Sequence, residues 1–288
     1  MEPPKIVAEI GCNHRGELET ALEMIRIAGA VCRADVVKFQ KRNPRECLTP
    51  EQYNAPHPVP RNAYGPTYGA HWEALEFTLD QHRRLKEECD ACGVAYTSSV
   101  WDVTSARGIA SLNPPYIKVP SACNTHFGIL AALCDEYGGD IHVSLGMTTR
   151  AEEANIVEFL DRRGRLKDTV LYACVSGYPV GYDELALLEV SRLLREYGSA
   201  VKGIGFSGHH LGIAADIAAM TLGAQWIERH FTLDRTWKGT DHAASLEPYD
   251  LRQLVLDVRA VAKGLTYRQA ELLPVEIEQR KKLKQVVQ

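Results

Sequence analysis

The sequence has no apolar run that approaches the roughly 20 residues needed to span a bilayer. Its first residues, MEPPKIVAEI, lack the basic and then apolar order of a secretory signal peptide. Excess charge of one sign is missing as well, because the formal net charge is −4, and nothing electrostatic favours a nucleic acid as partner. These absences predict a cytoplasmic protein with neither a membrane nor a nucleic acid as partner.

Regularly spaced cysteines are also missing. The eight cysteines follow no periodic pattern, which is typical of reduced thiols rather than of a disulfide framework. The lone C-x-x-C at 89–92 has no second pair with which to build a zinc site.

The turn after the first apolar run, GCNHRG at 11–16, is not the G-x-G-x-x-G of a doubly wound nucleotide-binding sheet, and that open sheet is therefore disfavoured.

What the sequence does contain is an alternation of short Val- and Ile-rich runs with longer segments whose apolar residues recur every three or four positions. Eight such runs are found, at 5–11, 35–40, 94–100, 116–120, 142–146, 170–175, 203–208 and 226–231. Eight strand and helix units predict an α/β fold, a (β/α)8 or TIM barrel, as a single domain over residues 1–264. Residues 265–288 are predicted to form a helical tail.

One long interruption, residues 41–79, is rich in Pro, Tyr and Gly. It exceeds the length of an ordinary connection between a strand and a helix. We expect it to be an active-site lid or a subunit contact within a homo-oligomer.

Polar side chains lie at the ends of all eight strands, where barrel enzymes place their active sites. In chain order they are Glu9, Asn13, Lys38, Gln40, Ser99, Lys118, Ser121, Ser144, Ser176, Tyr178, Ser207, His209, Glu228 and His230. Because side chains alternate between the two faces of a strand, Lys38 and Gln40 share a face, as do Glu228 and His230. If these faces point inward, the polar groups converge at the mouth of the barrel.

Two lysines at the mouth of an apolar barrel are costly to bury without anions. Together with the serine hydroxyls on successive strand ends, Lys38 and Lys118 predict a receptor for a phosphate and a carboxylate. The alternative for either lysine alone is a surface residue whose stem lies along the barrel.

His209 and His230 end neighbouring strands, so their imidazoles can share one divalent ion. Two protein ligands leave coordination positions for water or substrate. Asp241 is a candidate further ligand or substrate contact. The alternative is that each histidine is a hydrogen-bonded core residue, as predicted for His210, whose opposite parity turns it away from the face of His209.

The same residues lie in motifs that resemble the sialic acid synthase (N-acetylneuraminate synthase) family, whose enzymes join phosphoenolpyruvate to an N-acylated amino sugar. The motifs are AEIGCNHRG at 8–16, ADVVKFQ at 34–40, YIKVPSA at 116–122, SLGM at 144–147 and IERHFTLDRTWKGTDHAASLEP at 227–248. The resemblance implies a phosphoenolpyruvate-dependent transferase of carbohydrate biosynthesis. Its substrates would be small molecules, phosphoenolpyruvate and an N-acetylmannosamine-like aldehyde, and its products a sialic-acid-type nonulosonic acid and phosphate.

The resemblance also implies roles for individual residues. Phosphoenolpyruvate would be bound by Lys38, Ser99, Lys118, Ser121, Ser144 and Ser207. The metal, Mn2+ or alternatively Mg2+ or Co2+, would be held by His209 and His230. The sugar would lie near Gln40, Trp101, Cys123, Ser176, Tyr178 and Asp241. The catalytic group would comprise Glu9, His209, His230 and Asp241, with Glu9 handling protons beside the metal.

Departures from the family pattern concentrate on the sugar side. Gly208 stands where the family usually has aspartate, Cys123 where it has an acidic residue, and Ser176 where asparagine is common. No segment resembling the family's antifreeze-like C-terminal domain follows the barrel. We therefore expect residues 41–79 to cover the substrate instead.

Three other functions stay open. A 3-deoxy-ulosonic acid synthase would act on a phosphorylated aldose, with Cys12 as a third metal ligand and the basic residues Arg15, Lys41 and Arg42 at the phosphate. A metal-dependent sugar isomerase or hydrolase would need more carboxylate ligands and would not need the two lysines. A barrel that only binds a sugar or a partner would have no use for a metal beside an anion pocket.

Overall fold

The computed structural model describes residues 2–285 and contains one closed barrel of eight parallel strands. The strands are β1 (Lys5–Gly11), β2 (Val36–Lys41), β3 (Ala95–Val100), β4 (Tyr116–Val119), β5 (Asp140–Ser144), β6 (Thr169–Cys174), β7 (Gly203–Gly208) and β8 (Trp226–His230). Each strand pairs with its successor, and β8 pairs with β1 so that His230 lies opposite Glu9. The predicted single-domain (β/α)8 barrel is confirmed.

Helices surround this barrel. They are α1 (Leu18–Arg26), α2 (Pro44–Cys47), α3 (Pro50–Asn54), α4 (Tyr68–Ala74), α5 (Leu79–Ala91), α6 (Val103–Ala110), α7 (Phe127–Glu136), α8 (Arg150–Arg162), α9 (Leu188–Tyr197), α10 (Ala214–Thr221), α11 (Pro248–Gly264) and α12 (Pro274–Leu283). In α1, Leu22, Met24 and Ile25 are buried while Glu19 and Glu23 are exposed, which is the amphipathic pattern that packs a helix on a sheet. No helix within residues 2–285 is long and apolar enough to cross a membrane.

The strand bounds differ from the predicted runs by at most two residues. The largest difference is at β5, Asp140–Ser144 rather than 142–146, because its ladder to β4 already begins at Asp140. The run GIGFSG at 203–208 has the glycine spacing of a nucleotide-binding turn but forms β7. A Cβ at Gly205 would come within 2.5 Å of the Tyr172 ring, so glycine here leaves room for an aromatic side chain inside the barrel.

Aromatic and aliphatic side chains fill the N-terminal end of the barrel. Val7, Val36 and Tyr116 pack together there. His142 stacks on Tyr116 with ring centroids 3.7 Å apart, and its Nδ1 lies 3.0 Å from the hydroxyl of Tyr172. The polar groups lie at the opposite end, which is where barrel enzymes place their active sites.

Residues 41–79 form α2, α3 and α4 beside the ends of β2 and β3. Trp72 of α4 packs edge-on against Trp101, with ring centroids 5.5 Å apart. The Arg42 guanidinium lies 4.3 Å from the Trp72 ring centroid, and its Nε donates to Glu76 at 2.6 Å. The segment is thereby fixed against the loop that carries Trp101. In the tail, α12 is largely exposed and contributes no buried side chain.

One buried ion pair joins β8 to α10. Arg229 and Asp216 are both fully buried, with Nη1 and Oδ2 2.5 Å apart. The guanidinium also donates to the carbonyl of His210 at 2.5 Å and to that of Gly212 at 2.8 Å. His210 contacts this pair and faces away from the barrel interior, as its parity predicts. The ion pair therefore fixes the position of the loop that follows β7 and contains His209.

Replacing Asp216 by alanine is expected to lower the free energy of unfolding by about 3–5 kcal/mol, because the Arg229 charge stays buried without its partner. Denaturant unfolding measures the change. The matched control is Asp135→Ala, which removes an exposed partner of Arg163 and is expected to cost no more than about 1 kcal/mol. Equal losses in the two variants would contradict the structural role given to Asp216.

Candidate active site

A cavity of about 230 Å³ lies at the C-terminal ends of the strands and is called the central cavity below. Most of the residues predicted for the site line it, namely Glu9, Lys38, Gln40, Ser99, Trp101, Lys118, Ser121, Ser144, Ser176, Tyr178, Ser207, His209 and His230. They come from all eight strand ends, so closure of the barrel brings them together.

The two lysines do not lie free in the cavity. Lys38 Nζ is 2.7 Å from Glu9 Oε2 and 3.4 Å from Glu228 Oε1, and Lys118 Nζ is 2.7 Å from the same Glu228 oxygen. All four side chains are at most 5% exposed. We call these residues the lysine–glutamate cluster. Its two positive and two negative groups offset one another, which reduces the cost of burying each charge.

The two carboxyls of this cluster have different pKa values. Burial raises the pKa of Glu9 to about 7, and the Lys38 ammonium only partly opposes that shift. Burial acts on Glu228 as well, but Lys118 and Lys38 together outweigh it and lower its pKa to about 2. Glu228 therefore keeps its charge, whereas Glu9 exchanges a proton near neutral pH.

Hydroxyl groups surround the lysines. Ser99 Oγ is 2.5 Å from Lys38 Nζ, and Ser207 Oγ is 3.4 Å from Glu228 Oε1. Ser121 Oγ accepts a hydrogen bond from the Gly146 N–H at 3.1 Å. Ammonium and hydroxyl donors within one enclosed volume can bind the oxygens of an anion.

The two histidines lie beside the lysine–glutamate cluster, because His230 follows Glu228 on the same face of β8 and is paired with Glu9 across the β1–β8 ladder. The ring centroids of His209 and His230 are 5.4 Å apart.

His209 Nδ1 lies 2.8 Å from the carbonyl oxygen of Val175. Burial opposes protonation of this ring, but the side chain of Cys174 and the Val175 carbonyl together raise the pKa of His209. His230 Nδ1 is buried without a hydrogen-bond partner and lies 3.8 Å from Asp241 Oδ2. Burial lowers the pKa of His230 to about 4, so this imidazole is neutral.

Two of the predicted sugar contacts are absent from the lining of the central cavity. Cys123 Sγ lies 3.4 Å from the carbonyl oxygen of Trp101, and Asp241 approaches the site only at His230. No residue of 41–79 lines the central cavity either. In this structure the segment lies against Trp101, and its role as a lid stays a prediction.

The residues expected for a phosphorylated aldose are engaged elsewhere. Lys41 Nζ and Arg42 Nε both lie near Glu76, at 3.1 and 2.6 Å, and Arg15 Nη2 pairs with Glu17 at 3.0 Å. Cys12 Sγ receives a hydrogen bond from Arg42 Nη2 at 3.0 Å. Across the described part of the chain, no group of three metal-ligating side chains is found, and Cys12 does not join the histidines.

Five lining residues had no assigned role in the sequence analysis, among them Glu228, Cys174 and Met147. The alternation of side chains that placed His230 on the inward face of β8 also placed Glu228 there. The pairing of Glu228 with both lysines could not be predicted from that alternation. Cys174 occupies the inward face of β6 two positions before Ser176. Met147 follows β5 in the left-handed region at φ 54° and is 68% exposed.

Comparison with known proteins decides the family. The NeuB family profile matches residues 24–270. An N-acetylneuraminate-9-phosphate synthase of Homo sapiens is 36% identical over 285 residues, which cover 98% of this chain and 77% of that protein. The chain belongs to the NeuB family. This NeuB-family chain is an enzyme, a transferase of the N-acetylneuraminate synthase type.

Two further relatives of the NeuB-family chain agree with this assignment. An N,N'-diacetyllegionaminic acid synthase of Campylobacter jejuni is 32% identical over 92% of this chain and 78% of that protein. The crystal structure of an N-acetylneuraminic acid (sialic acid) synthetase from Leptospira borgpetersenii superimposes with a TM-score of 0.81 at 28% identity, covering 99% of this chain and 94% of the other. These synthases have different named products, so the choice of sugar varies among relatives.

Binding of phosphoenolpyruvate to the NeuB-family chain is expected to weaken as the pH rises through about 7. Burial raises the pKa of Glu9 to about 7, so above that pH Glu9 is mostly ionised. Its carboxylate then competes with the phosphoenolpyruvate anion for the Lys38 ammonium. Calorimetric titration between pH 6 and 8.5 measures the dissociation constant.

The Glu9→Gln variant should keep only the pH dependence that the ligand's own phosphate contributes. Glu17→Gln, an exposed change, should behave like the unaltered protein. Identical profiles for the unaltered protein and Glu9→Gln would show that Glu9 does not titrate against the anion.

Proposed function

We propose that this synthase condenses phosphoenolpyruvate with the aldehyde of an N-acylated hexosamine of the N-acetylmannosamine type. The products are a nonulosonic acid and phosphate. The observation that carries the proposal is a single cavity in which the lysine–glutamate cluster and its serine hydroxyls face two imidazoles. Such a site accommodates an anionic reactant beside a group that polarises a carbonyl.

Phosphoenolpyruvate is proposed to bind to Lys38 and Lys118 through its carboxylate and phosphate. Its negative charge stabilises the Lys38 ammonium in place of the Glu9 carboxylate. The protonated form of Glu9 is therefore favoured when the anion binds. Ser99 and Ser207, which already contact members of the cluster, add hydroxyl donors. The anion is thereby fixed with little rearrangement of the protein.

The residues of the second half of the site fit a divalent cation. His209 Nδ1 is hydrogen-bonded to a backbone carbonyl, which orients the ring and leaves Nε2 for a metal, and His230 is neutral with an unpartnered buried nitrogen. His209 and His230 would hold the ion, and Asp241 beside His230 would orient that ring or contact the substrate. When bound, Mn2+, or Mg2+ or Co2+ instead, supplies polarisation of the aldehyde oxygen.

The bond changes follow from this placement. C3 of phosphoenolpyruvate attacks the aldehyde carbon, and the aldehyde oxygen takes up a proton, for which protonated Glu9 is the donor within the cavity. Water adds at C2, and the bond between C2 and the bridging oxygen breaks, releasing phosphate. Lys38 and Lys118 stabilise the leaving anion.

The names of the relatives favour a second candidate. Relatives named N-acetylneuraminate-9-phosphate synthase point to an acceptor that carries a phosphate far from its aldehyde. In the structure, Lys41 and Arg42 are paired with Glu76, and Arg15 is paired with Glu17, which argues against a phosphate bound by these three residues. We therefore favour the unphosphorylated sugar. A homo-oligomer in the cytoplasm stays a prediction.

Purified protein with Mn2+, phosphoenolpyruvate and N-acetylmannosamine is expected to release phosphate and to form an equal amount of a nonulosonic acid. In water labelled with 18O, the label should enter C2 of the product and not the phosphate, because the C–O bond breaks. Mass spectrometry of both products measures this. N-acetylmannosamine 6-phosphate, supplied in a parallel reaction, separates the two candidates by their kcat/KM values.

Label found in phosphate instead would contradict C–O cleavage. Formation of a sugar product without phosphoenolpyruvate would favour an isomerase or hydrolase.

Removing either imidazole is expected to abolish stoichiometric metal binding, because one remaining protein ligand cannot retain the ion through desalting. The His209→Ala and His230→Ala proteins are incubated with Mn2+, desalted and analysed by atomic emission, with a thermal-shift measurement alongside. His126→Asn, an exposed change that retains a helix-capping group, is the control and should bind metal normally. Equal metal content in all three variants would place the ion elsewhere.

A further inference from the structure

The two lysines of the lysine–glutamate cluster are compensated unequally. Lys38 Nζ lies within 3.4 Å of both Glu9 and Glu228, whereas Lys118 Nζ, in the part of the chain that the structure describes, pairs with Glu228 alone, at 2.7 Å. Burial lowers the pKa of Lys118, and Glu228 opposes that shift only in part. Burial acts on Lys38 as well, but Glu228 and Glu9 outweigh it and raise the pKa of Lys38. Carboxylates alone therefore do less to keep Lys118 charged than to keep Lys38 charged.

An aromatic ring provides a further contact for Lys118. Its Nζ lies 4.3 Å from the centroid of the Tyr172 ring. Tyr172 is fully buried and the Lys118 side chain is 3% exposed, so little water is present to weaken the attraction between the ammonium and the electron-rich ring face. A carboxylate in the place of the ring would neutralise the ammonium. The ring stabilises the positive charge and leaves it available to an anion.

Neighbouring residues fix the position of this ring. Gly205 pairs with Tyr172 in the ladder of β6 and β7, and a Cβ there would come within 2.5 Å of the ring. The Tyr172 hydroxyl lies 3.0 Å from Nδ1 of His142, which itself stacks on Tyr116. Burial and the Lys118 ammonium lower the pKa of His142 well below its ordinary value, so this imidazole is neutral and adds no positive charge beside Lys118. Tyr172 is thus held by packing along its ring and by a hydrogen bond at its hydroxyl.

The ring lies outside the cavity that would receive a ligand. Tyr172 does not line the central cavity, whereas Lys118 does. Any effect of the ring on a ligand must therefore act through the Lys118 ammonium. When Glu9 is protonated, two ammonium groups and the Glu228 carboxylate leave the cluster with one unit of positive charge. A phosphate or carboxylate ligand requires that charge, which depends on Lys118 staying protonated and in place.

We propose that Tyr172 is a positioning residue of the anion site. Its ring face holds the Lys118 ammonium at the wall of the central cavity and so increases the affinity for phosphoenolpyruvate. The identity of that ligand rests on the proposed function. The action of the ring is the same for any phosphate or carboxylate that pairs with Lys118.

The first test removes the ring and measures the dissociation constant of phosphoenolpyruvate by calorimetric titration. Tyr172→Phe keeps the ring and is expected to bind within about twofold of the unaltered protein. Tyr172→Leu is expected to bind about 5- to 30-fold more weakly, the effect of losing a cation–π contact in a site shielded from water.

The matched control is Tyr96, a second buried tyrosine whose hydroxyl contacts a histidine. That hydroxyl lies 2.7 Å from His82 Nδ1, and the Tyr96 ring packs on Phe39 rather than on a lysine. Tyr96→Leu should therefore lower the thermal stability, as Tyr172→Leu does, without changing the dissociation constant. An equal loss of affinity in both leucine variants would overturn the proposal, because general loosening of the barrel would then account for it.

Ring fluorination separates the charge distribution of the ring from its packing. Phenylalanine with one, two or three ring fluorines is introduced at position 172, and each fluorine withdraws electron density from the ring face while changing the size of the ring little. The dissociation constant is expected to rise stepwise with the number of fluorines and to approach that of Tyr172→Leu. Equal dissociation constants throughout the fluorinated series would overturn the proposal, whether or not Tyr172→Leu folds.

Inorganic phosphate, titrated into the same proteins, separates this inference from the proposed function. If the unaltered protein binds phosphate but not phosphoenolpyruvate, the proposed function is contradicted, and the role of Tyr172 is decided by phosphate alone. A stepwise loss of phosphate affinity with fluorination would then support that role, and a constant affinity would overturn it. Binding of neither anion would overturn both.

Discussion

The pairing of Glu228 with two lysines is the interaction on which the site depends. Lys38, Lys118 and Glu228 come from β2, β4 and β8, and they meet only because the sheet closes on itself. Isolated, each charge would be expensive to bury, and removing one member leaves the others uncompensated. The cluster therefore holds two ammonium groups in a dry position where an incoming anion can use them, without the protein having to keep unpaired cations in its interior.

Glu9 makes the same cluster sensitive to protons. Two carboxyls share two lysines, but Glu228 takes the larger part of the positive charge and Glu9 is left with a raised pKa. A carboxyl that is half protonated near neutral pH, beside an anion site and opposite a neutral imidazole, is suited to transferring a proton during carbon–carbon bond formation. Anion binding and proton supply are in this way properties of one group of residues.

The surroundings of the cavity differ on its two sides. Towards β2 and β3, residues 41–79 support Trp101 through Trp72, so that side is rigid and packed. Towards β5 and β6, the wall of the cavity contains Ser176, the exposed Met147 and, packed closely against Ser176, Gly146. Of the departures from the family pattern, Ser176 lies on this second side, whereas Cys123 contacts the carbonyl of Trp101 on the first.

The alternation of residues along each strand determined much of this protein by itself. Period-two patterning is local, so Lys38, Lys118, His209 and His230 could be placed on inward faces, and eight strand–helix units sufficed for the barrel. Only the tertiary structure decided which inward groups touch. Lys118 and Glu228 are 110 positions apart, and Cys123, predicted from the sequence to lie beside the sugar, contacts the carbonyl of Trp101 and does not line the central cavity. Distances across a barrel depend on how side chains of several strands fill a common volume, and no single strand contains that information.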